Sequence, residues 1–283
     1  MQSTFLAVAL TVAGAALCAA QSQGSFDRTL SVSGPVDLDV MTDSGGITVT
    51  SGSSSAVHIH AILKADHNWF SSSDVEQHIR EIERNPPIEQ NGNHIRIGYV
   101  HSRDLLKNIS MRLEIETPRD TRLRARADSG GIRVTGIHGP AETHTDSGGI
   151  DVRDIDSDVR AEADSGGIRI EGVKGAAFVR VDSGGIEAQD IAGSIDAETD
   201  SGGIHLSQTH AAPIRAKADS GGVSVRLASN AGYDVNVESD SGRISVPEMS
   251  VNGELSKHRV EGKVRGGGPT VNIRVESGNV SIE

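Results

Sequence analysis

The sequence predicts an all-β fold: a β-solenoid of 18-residue, two-strand coils, β-helix-like, with a small inserted α/β cap near the N-terminus. Three observations carry this reading. The pentad Asp-Ser-Gly-Gly-Ile begins at Asp128 and returns at Asp146, Asp164, Asp182 and Asp200, each time 18 residues on. Between pentads, apolar and polar residues alternate: Ile132, Val134, Ala141 and Thr143 are separated by Arg133, Thr135 and Glu142 in a period of two, broken by turns. Aromatic residues make up only 2% of the 283-residue chain, which suits two short strands facing each other across a narrow section rather than a wide globular core.

The second unit places Ile150, Val152, Ile155, Val159, Ala161 and Ala163 in the columns of the first, and the third places Ile168, Ile170, Val173, Ala177, Val179 and Val181 there. Each unit therefore reads strand, turn, strand, turn. One such pair of strands cannot bury its own apolar face, but stacking the units makes a continuous thin core and pairs every strand with its equivalents above and below.

The turn chemistry follows from the pentad. Gly130 and Gly131, Gly148 and Gly149, Gly166 and Gly167, Gly184 and Gly185, Gly202 and Gly203, and Gly221 and Gly222 are placed to supply positive φ where the chain reverses. The preceding aspartate can accept a hydrogen bond from the backbone two residues on. Stacking would set Asp128, Asp146, Asp164, Asp182, Asp200, Asp219 and Asp240 in a column, with neighbours about 4.8 Å apart and a repulsion of roughly 0.9 kcal/mol per pair in water. Turn N–H groups or cations must offset it. These seven are the candidate calcium ligands, because hard oxygen donors in an array suit that ion. Calcium-binding β-rolls, however, build each coil from two Gly-Gly-x-Gly-x-Asp-x-apolar-x nonapeptides. Here each coil has one glycine pair and its aspartate stands elsewhere. Turn capping is the reading adopted, and no metal or cofactor is assigned.

Taken in order, residues 1–20 carry no charge and include an apolar run from Phe5 to Leu17 ending in Ala19-Ala20, which reads as a secretory signal peptide. Cys18 is the only cysteine, so a chain cleaved after Ala20 has neither disulfides nor thiol chemistry. The expected protein is exported, to the periplasm or the cell surface, with no stable membrane insertion after cleavage. Its net charge of −12 argues against nucleic acid and anionic membranes as main partners. Residues 21–64 read as strands and a first coil, with Asp43-Ser-Gly-Gly-Ile47 as an early copy of the pentad standing apart from the array. Residues 65–121 read as an inserted cap, with one short helix announced by Ser73-Asp-Val-Glu76 and by Val75, Ile79 and Ile82 on one face. Residues 122–283 form the repeat array, whose spacing loosens after Asp219 to 21 and then 36 residues. Uncovered ends of such a stack offer strand edges, so end-to-end self-association is an expectation.

Catalysis needs a few convergent groups unlike their neighbours, whereas the conspicuous polar residues here recur in every coil. No nucleophile elbow, phosphate loop, dinucleotide fingerprint or His-Glu-x-x-His motif is found. His58 and His60 share a strand face and could hold a transition metal with a third ligand, His67, His94 and His101 lying in the same region; exposed strand histidines are the simpler reading. Trp69 and Phe70 are assigned to packing of the cap. The outward columns alternate in sign, as in Asp151, Arg153, Arg160 and Glu162, and suit cross-coil charge pairs on a surface long enough for a repetitive ligand. Two alternatives to a binding or scaffold protein are a carbohydrate-active β-helix enzyme working through clustered carboxylates and a calcium-dependent folding module.

The early Asp-Ser-Gly-Gly-Ile-Thr-Val unit, the strand Val57 to Leu63, the helical insertion, Leu113-Glu-Ile-Glu-Thr-Pro118 and the Ser-Gly-Gly-Ile repeats with Gly-Ile or Asp-Ile midpoints resemble, in that order, the bacterial putative adhesin family. That family is a β-strand-repeat domain of unknown function. The resemblance implies an exported solenoid with no established ligand and no catalytic residues to carry over; the leader and the repeated outward faces are what point to an unknown cell-envelope protein or polysaccharide as partner. Asp before Ser-Gly-Gly is more regular here than the family pattern requires.

Overall fold

The computed structural model describes residues 23–52, 55–65, 73–99, 103–246, 249–250, 256 and 258–283. The readings for the signal peptide, His67, Trp69, Phe70 and His101 fall outside them. The N-terminal part contains β1 (Gln23–Ser31), β2 (Val36–Ser44), β3 (Ile47–Ser51), β4 (Ala56–Ala65), helix α1 (Ser73–Arg84), β5 (Ile88–Asn91), β6 (His94–Ile97) and β7 (Ile109–Thr117). The regular array follows as β8 (Thr121–Ser129), β9 (Ile132–Thr135), β10 (Ala141–Ser147), β11 (Ile150–Ile155), β12 (Val159–Ser165), β13 (Ile168–Val173), β14 (Ala177–Ser183), β15 (Ile186–Ile191), β16 (Ile195–Ser201), β17 (Ile204–Gln208), β18 (Ile214–Ser220) and β19 (Val223–Arg226). It closes with β20 (Tyr233–Ser241), β21 (Ile244–Ser245), β22 (Met249–Ser250), β23 (Arg259–Val264), β24 (Thr270–Ser277) and β25 (Val280–Ile282).

Two long, mostly parallel sheets face each other. Sheet A runs β1-β4-β7-β3-β9-β11-β13-β15-β17-β19-β25-β21, and sheet B runs β22-β23-β20-β24-β18-β16-β14-β12-β10-β8-β2-β6-β5. A coil is one sheet B strand, an arc, one sheet A strand and a return arc. The register between neighbouring coils follows the repeat, with a shift between Ala188 and Ile191 where β15 meets β17: Ile132, Ile150, Ile168, Ile186 and Ile204 stack, as do Leu123, Ala141, Val159, Ala177 and Ile195. Every one of these side chains is buried. Where the inward residue before the arc is polar, its hydroxyl reaches the neighbouring coil: Thr145 Oγ1 donates to the Gly130 carbonyl at 3.0 Å and Thr199 Oγ1 to that of Gly184 at 3.1 Å.

Two features depart from the order of the sequence. The early pentad at Asp43 does not stand apart: β2 and β3 pair directly with β8 and β9, so Ser44 opposes Ser129 and Ile47 opposes Ile132. At the other end, the last coil of the chain is not last in the stack. β24 and β25 slot between β18/β19 and β20/β21, so that Lys217 opposes Arg274 and Arg274 opposes Glu238. The chain leaves the stack after β19, forms the next coil but one, adds β22 and β23, and returns to fill the gap.

At the N-terminal end β1 and β4 extend sheet A antiparallel. Helix α1 carries Ile79 and Ile82 into the core and packs against β1 and β4. It also covers part of the edge of β1: the Ser25 amide donates to Glu83 Oε1 at 3.0 Å, and Arg28 Nη2 to the Glu83 carbonyl at 3.3 Å. A β-strand edge left bare invites pairing with another chain, and here side chains occupy it.

Candidate functional site

The first arc of each coil lies along one edge of the solenoid, and its serines are in register from Ser44 through Ser129, Ser147, Ser165, Ser183, Ser201, Ser220 and Ser277 to Ser241. The acidic column is therefore Asp43, Asp128, Asp146, Asp164, Asp182, Asp200, Asp219, Glu276, Asp240 in space. The expected turn capping is corrected. The amide two residues after Asp128 belongs to Gly130, and it donates to the Ser147 carbonyl of the next coil at 2.8 Å. The same bond recurs from Gly148 to Ser165, Gly166 to Ser183, Gly184 to Ser201, Gly202 to Ser220, Gly221 to Ser277 and Gly278 to Ser241. Stacking claims this amide for the inter-coil ladder, which leaves most of the carboxylates outside, in water. Asp146 lies 3.1 Å from His144 Nε2, and Asp219 3.2 Å from Lys217 Nζ. Among the described residues no three His, Cys, Asp or Glu side chains converge as a metal site would require.

The two glycines of the arc do different jobs. Gly130, Gly148, Gly166, Gly184, Gly202 and Gly221 hold φ between 132° and 150°, and a Cβ on any of them would run into the carbonyl of the neighbouring coil's glycine. The second glycines do not have positive φ. A Cβ on Gly185 would sit 3.5 Å from the Gly203 oxygen, an ordinary contact. Consistently, the irregular copies keep the first glycine, Gly242 and Gly278, and replace the second by Arg243 and Asn279. The return arc has its own left-handed position, filled by Gly136, Asp154, Gly172 and Asp190, residues that tolerate it best.

The outer face of sheet B is a ladder of charge. Crossing the strands in register lie Glu89, Arg96, Asp39, Arg124, Glu142, Arg160, Phe178, Asp196 and Arg215. A parallel row carries Glu162, Arg180, Glu198 and Lys217. Arg180 Nη2 donates to Glu198 Oε2 at 2.7 Å and Lys217 Nζ to Glu198 Oε1 at 3.2 Å. The Arg180 hydrogen bond, outweighing partial burial and reinforced by Lys217, holds the Glu198 carboxyl below the usual carboxylate range. Phe178 breaks the pattern. It is 42% exposed and is the sole large apolar side chain so exposed among the described residues.

The outer face of sheet A carries a trough. A depression of about 550 Å³ opens at the short side chain of Thr48, beside Arg112, Glu114, Arg133 and Asp151. An adjoining one of about 430 Å³ shares Thr48 and Glu114 and reaches His58, His60 and Asp27. His58 and His60 do lie on one face, but His58 Nδ1 sits 3.1 Å from Thr29 Oγ1 and His60 Nδ1 2.8 Å from Asp27 Oδ1. His94, in sheet B, pairs with Asp37 at 3.1 Å instead. On the return arcs His138 bridges Asp120 and Asp156 at 3.2 and 3.5 Å, and Lys174 lies 2.7 Å from Asp156. That lysine's hydrogen bond keeps the Asp156 carboxyl below its ordinary value.

Two parallel sheets joined by recurrent arcs, with charge outside in rows, define a two-sheet β-solenoid. The chain belongs to the Toastrack DUF4097 family, a domain of unknown function whose model matches residues 36–283; this is the kinship its repeats pointed to. Among solved structures it is similar to a putative adhesin from Bacteroides fragilis NCTC 9343, at 13% identity over 92% of this chain and 97% of that one, with a TM-score of 0.46. It is also similar to a putative cell adhesion protein from Clostridium sporogenes ATCC 15579, at 12% identity over 92% and 99% of the two chains, with a TM-score of 0.22. No curated protein matches.

The outward columns were legible as charge pairs, but Phe178 was not singled out. The available signal was a column comparison, since its equivalents are Arg124, Glu142, Arg160, Asp196 and Arg215.

Proposed function

We propose that this chain is an exported, non-enzymatic binding module that presents the outer faces of its solenoid to a cell-envelope protein or polysaccharide. The observation that carries the reading is the register of the outward side chains, which repeats one chemical pattern over coil after coil. A catalytic centre concentrates unlike groups at one point; a repeated surface suits a long or repetitive partner. The uncharged apolar leader supports export, and no helix among the described residues is long and apolar enough to cross a membrane.

The test has two arms. Fractionation of cells expressing the tagged full chain should place it in the periplasm or on the surface, shortened by its leader. A photo-crosslinker introduced in turn at Arg169 on sheet A and Arg180 on sheet B should capture envelope material from at least one face. Retention in the cytoplasm at full length, or no capture from either face, would sink the proposal.

A further inference from the structure

We infer that the sheet B face holds a saccharide subsite centred on Phe178, which takes one ring of a neutral, linear polysaccharide lying across the strands. The inference rests on the binding-module reading and gives it a ligand class and a place. Phe178 points outward from β14, so the fold does not need an aromatic residue there, and five equivalent outward positions in neighbouring coils carry charge. Directly across the strands from Phe178 lie Arg160 on one side and Asp196 on the other, with Arg215 one strand further. Arg160 is satisfied along its own strand, where Nε donates to Glu162 Oε1 at 2.9 Å. The side chains of Asp196 and Arg215 form no ion pair or hydrogen bond with any described residue, and Asp196 acts on Arg180 through its charge alone. An exposed ring thus stands beside an acceptor and a donor whose side chains make no direct hydrogen bond within the chain.

The chemistry discriminates between ligand classes. A protein partner needs an apolar, desolvated centre several residues wide, whereas here one ring is surrounded by hydrated charges. A sugar ring presents an apolar C–H face that can cover one aromatic side chain, and equatorial hydroxyls that both donate and accept, so one ring can use Phe178, Asp196 and Arg215 together. The hollow among these residues measures about 220 Å³, smaller than the roughly 300–1,000 Å³ of pockets that enclose drug-sized ligands. It fits one unit of a chain that continues over the open face. Over the two rows that line the hollow, three arginines face three acids, which favours a neutral polymer over a strongly charged one.

Affinity electrophoresis of the purified protein through gels carrying dextran, laminarin, galactomannan or hydroxyethylcellulose tests this. At least one should retard the protein. In that gel Phe178→Ala should weaken the apparent affinity about tenfold or more, Phe178→Trp should restore it, and Asp196→Asn should weaken it to a smaller degree. Arg226→Ala, on the opposite face, should migrate as the parent does. Circular dichroism confirms that each variant is folded, and the Trp variant keeps the test meaningful if the Ala variant is not. Retardation unchanged in Phe178→Ala would overturn the subsite. So would no retardation in any of the four gels; capture of an envelope protein by the crosslinkers would then leave the broader binding reading intact.

Discussion

The contrast between the two arc glycines can be tested within a single coil. Replacing Gly184 by alanine puts a side chain at φ 149°, a region that costs a residue with a Cβ about 1–3 kcal/mol. The new Cβ would also meet the carbonyl of Gly166 in the neighbouring coil. That oxygen is backbone, so relief requires the two coils to separate locally, and this strains the bonds between them, from Gly166 to Ser183 at 2.9 Å and from Ile168 to Gly185 at 3.0 Å. Each such bond contributes about 1 kcal/mol net. The sum is about 3–5 kcal/mol, a large share of the 5–15 kcal/mol that holds a typical domain together. Gly185→Ala faces only a 3.5 Å contact at permitted φ. It should change stability by less than about 1 kcal/mol, helped by the lower entropy of its unfolded chain. Urea unfolding followed by circular dichroism reads both. Equal destabilisation by the two variants, or a neutral Gly184→Ala, would refute the division of labour.

Two further outcomes follow from the charged surfaces. Glu198 and Asp156 titrate below their ordinary values in the folded protein, so their contribution to stability is present at neutral pH and is lost as pH falls from the ordinary values, about 4.3 for a glutamate and about 3.9 for an aspartate, towards the folded ones. The melting temperature should therefore drop between pH 5 and pH 3, and less steeply in Glu198→Gln; an identical slope in that variant would contradict the assignment. The exposed aspartates of the arc edge do not converge, so a melting scan in calcium and in chelator should differ by less than about 2 °C, against the 2–4 °C that 1 kcal/mol produces in a domain of this size. A large rise in calcium would make that edge an ion ladder.

Much of the fold is written locally. The columns headed by Ile132 and Leu123 fall in the core because alternation fixes which face each residue takes, and the 18-residue period fixes which residues stack. What depends on the neighbouring coil was not legible. The amide of Gly130 is free to cap Asp128 in an isolated turn, and only the presence of Ser147 below it decides otherwise. The position of β24 and β25 is of the same kind, since Glu276-Ser-Gly-Asn carries the arc pattern without saying which coil it meets. Phe178 was hidden for another reason: alternation marks it outward and assigns it no partner.

The order of the coils is the central claim, and paired cysteines test it most directly. Lys217 and Arg274 are outward neighbours in adjacent parallel strands, while Lys217 and Glu238 are separated by β24. Neighbouring strands lie about 4.8 Å apart, within the 4.4–6.8 Å that a disulfide spans between Cα atoms, and the next strand but one is beyond it. Oxidation should link Lys217→Cys to Arg274→Cys in the folded protein and leave the pair Lys217→Cys, Glu238→Cys as free thiols. The opposite pattern would mean that the coils follow the order of the sequence, and the last coil would then stand at the end of the stack.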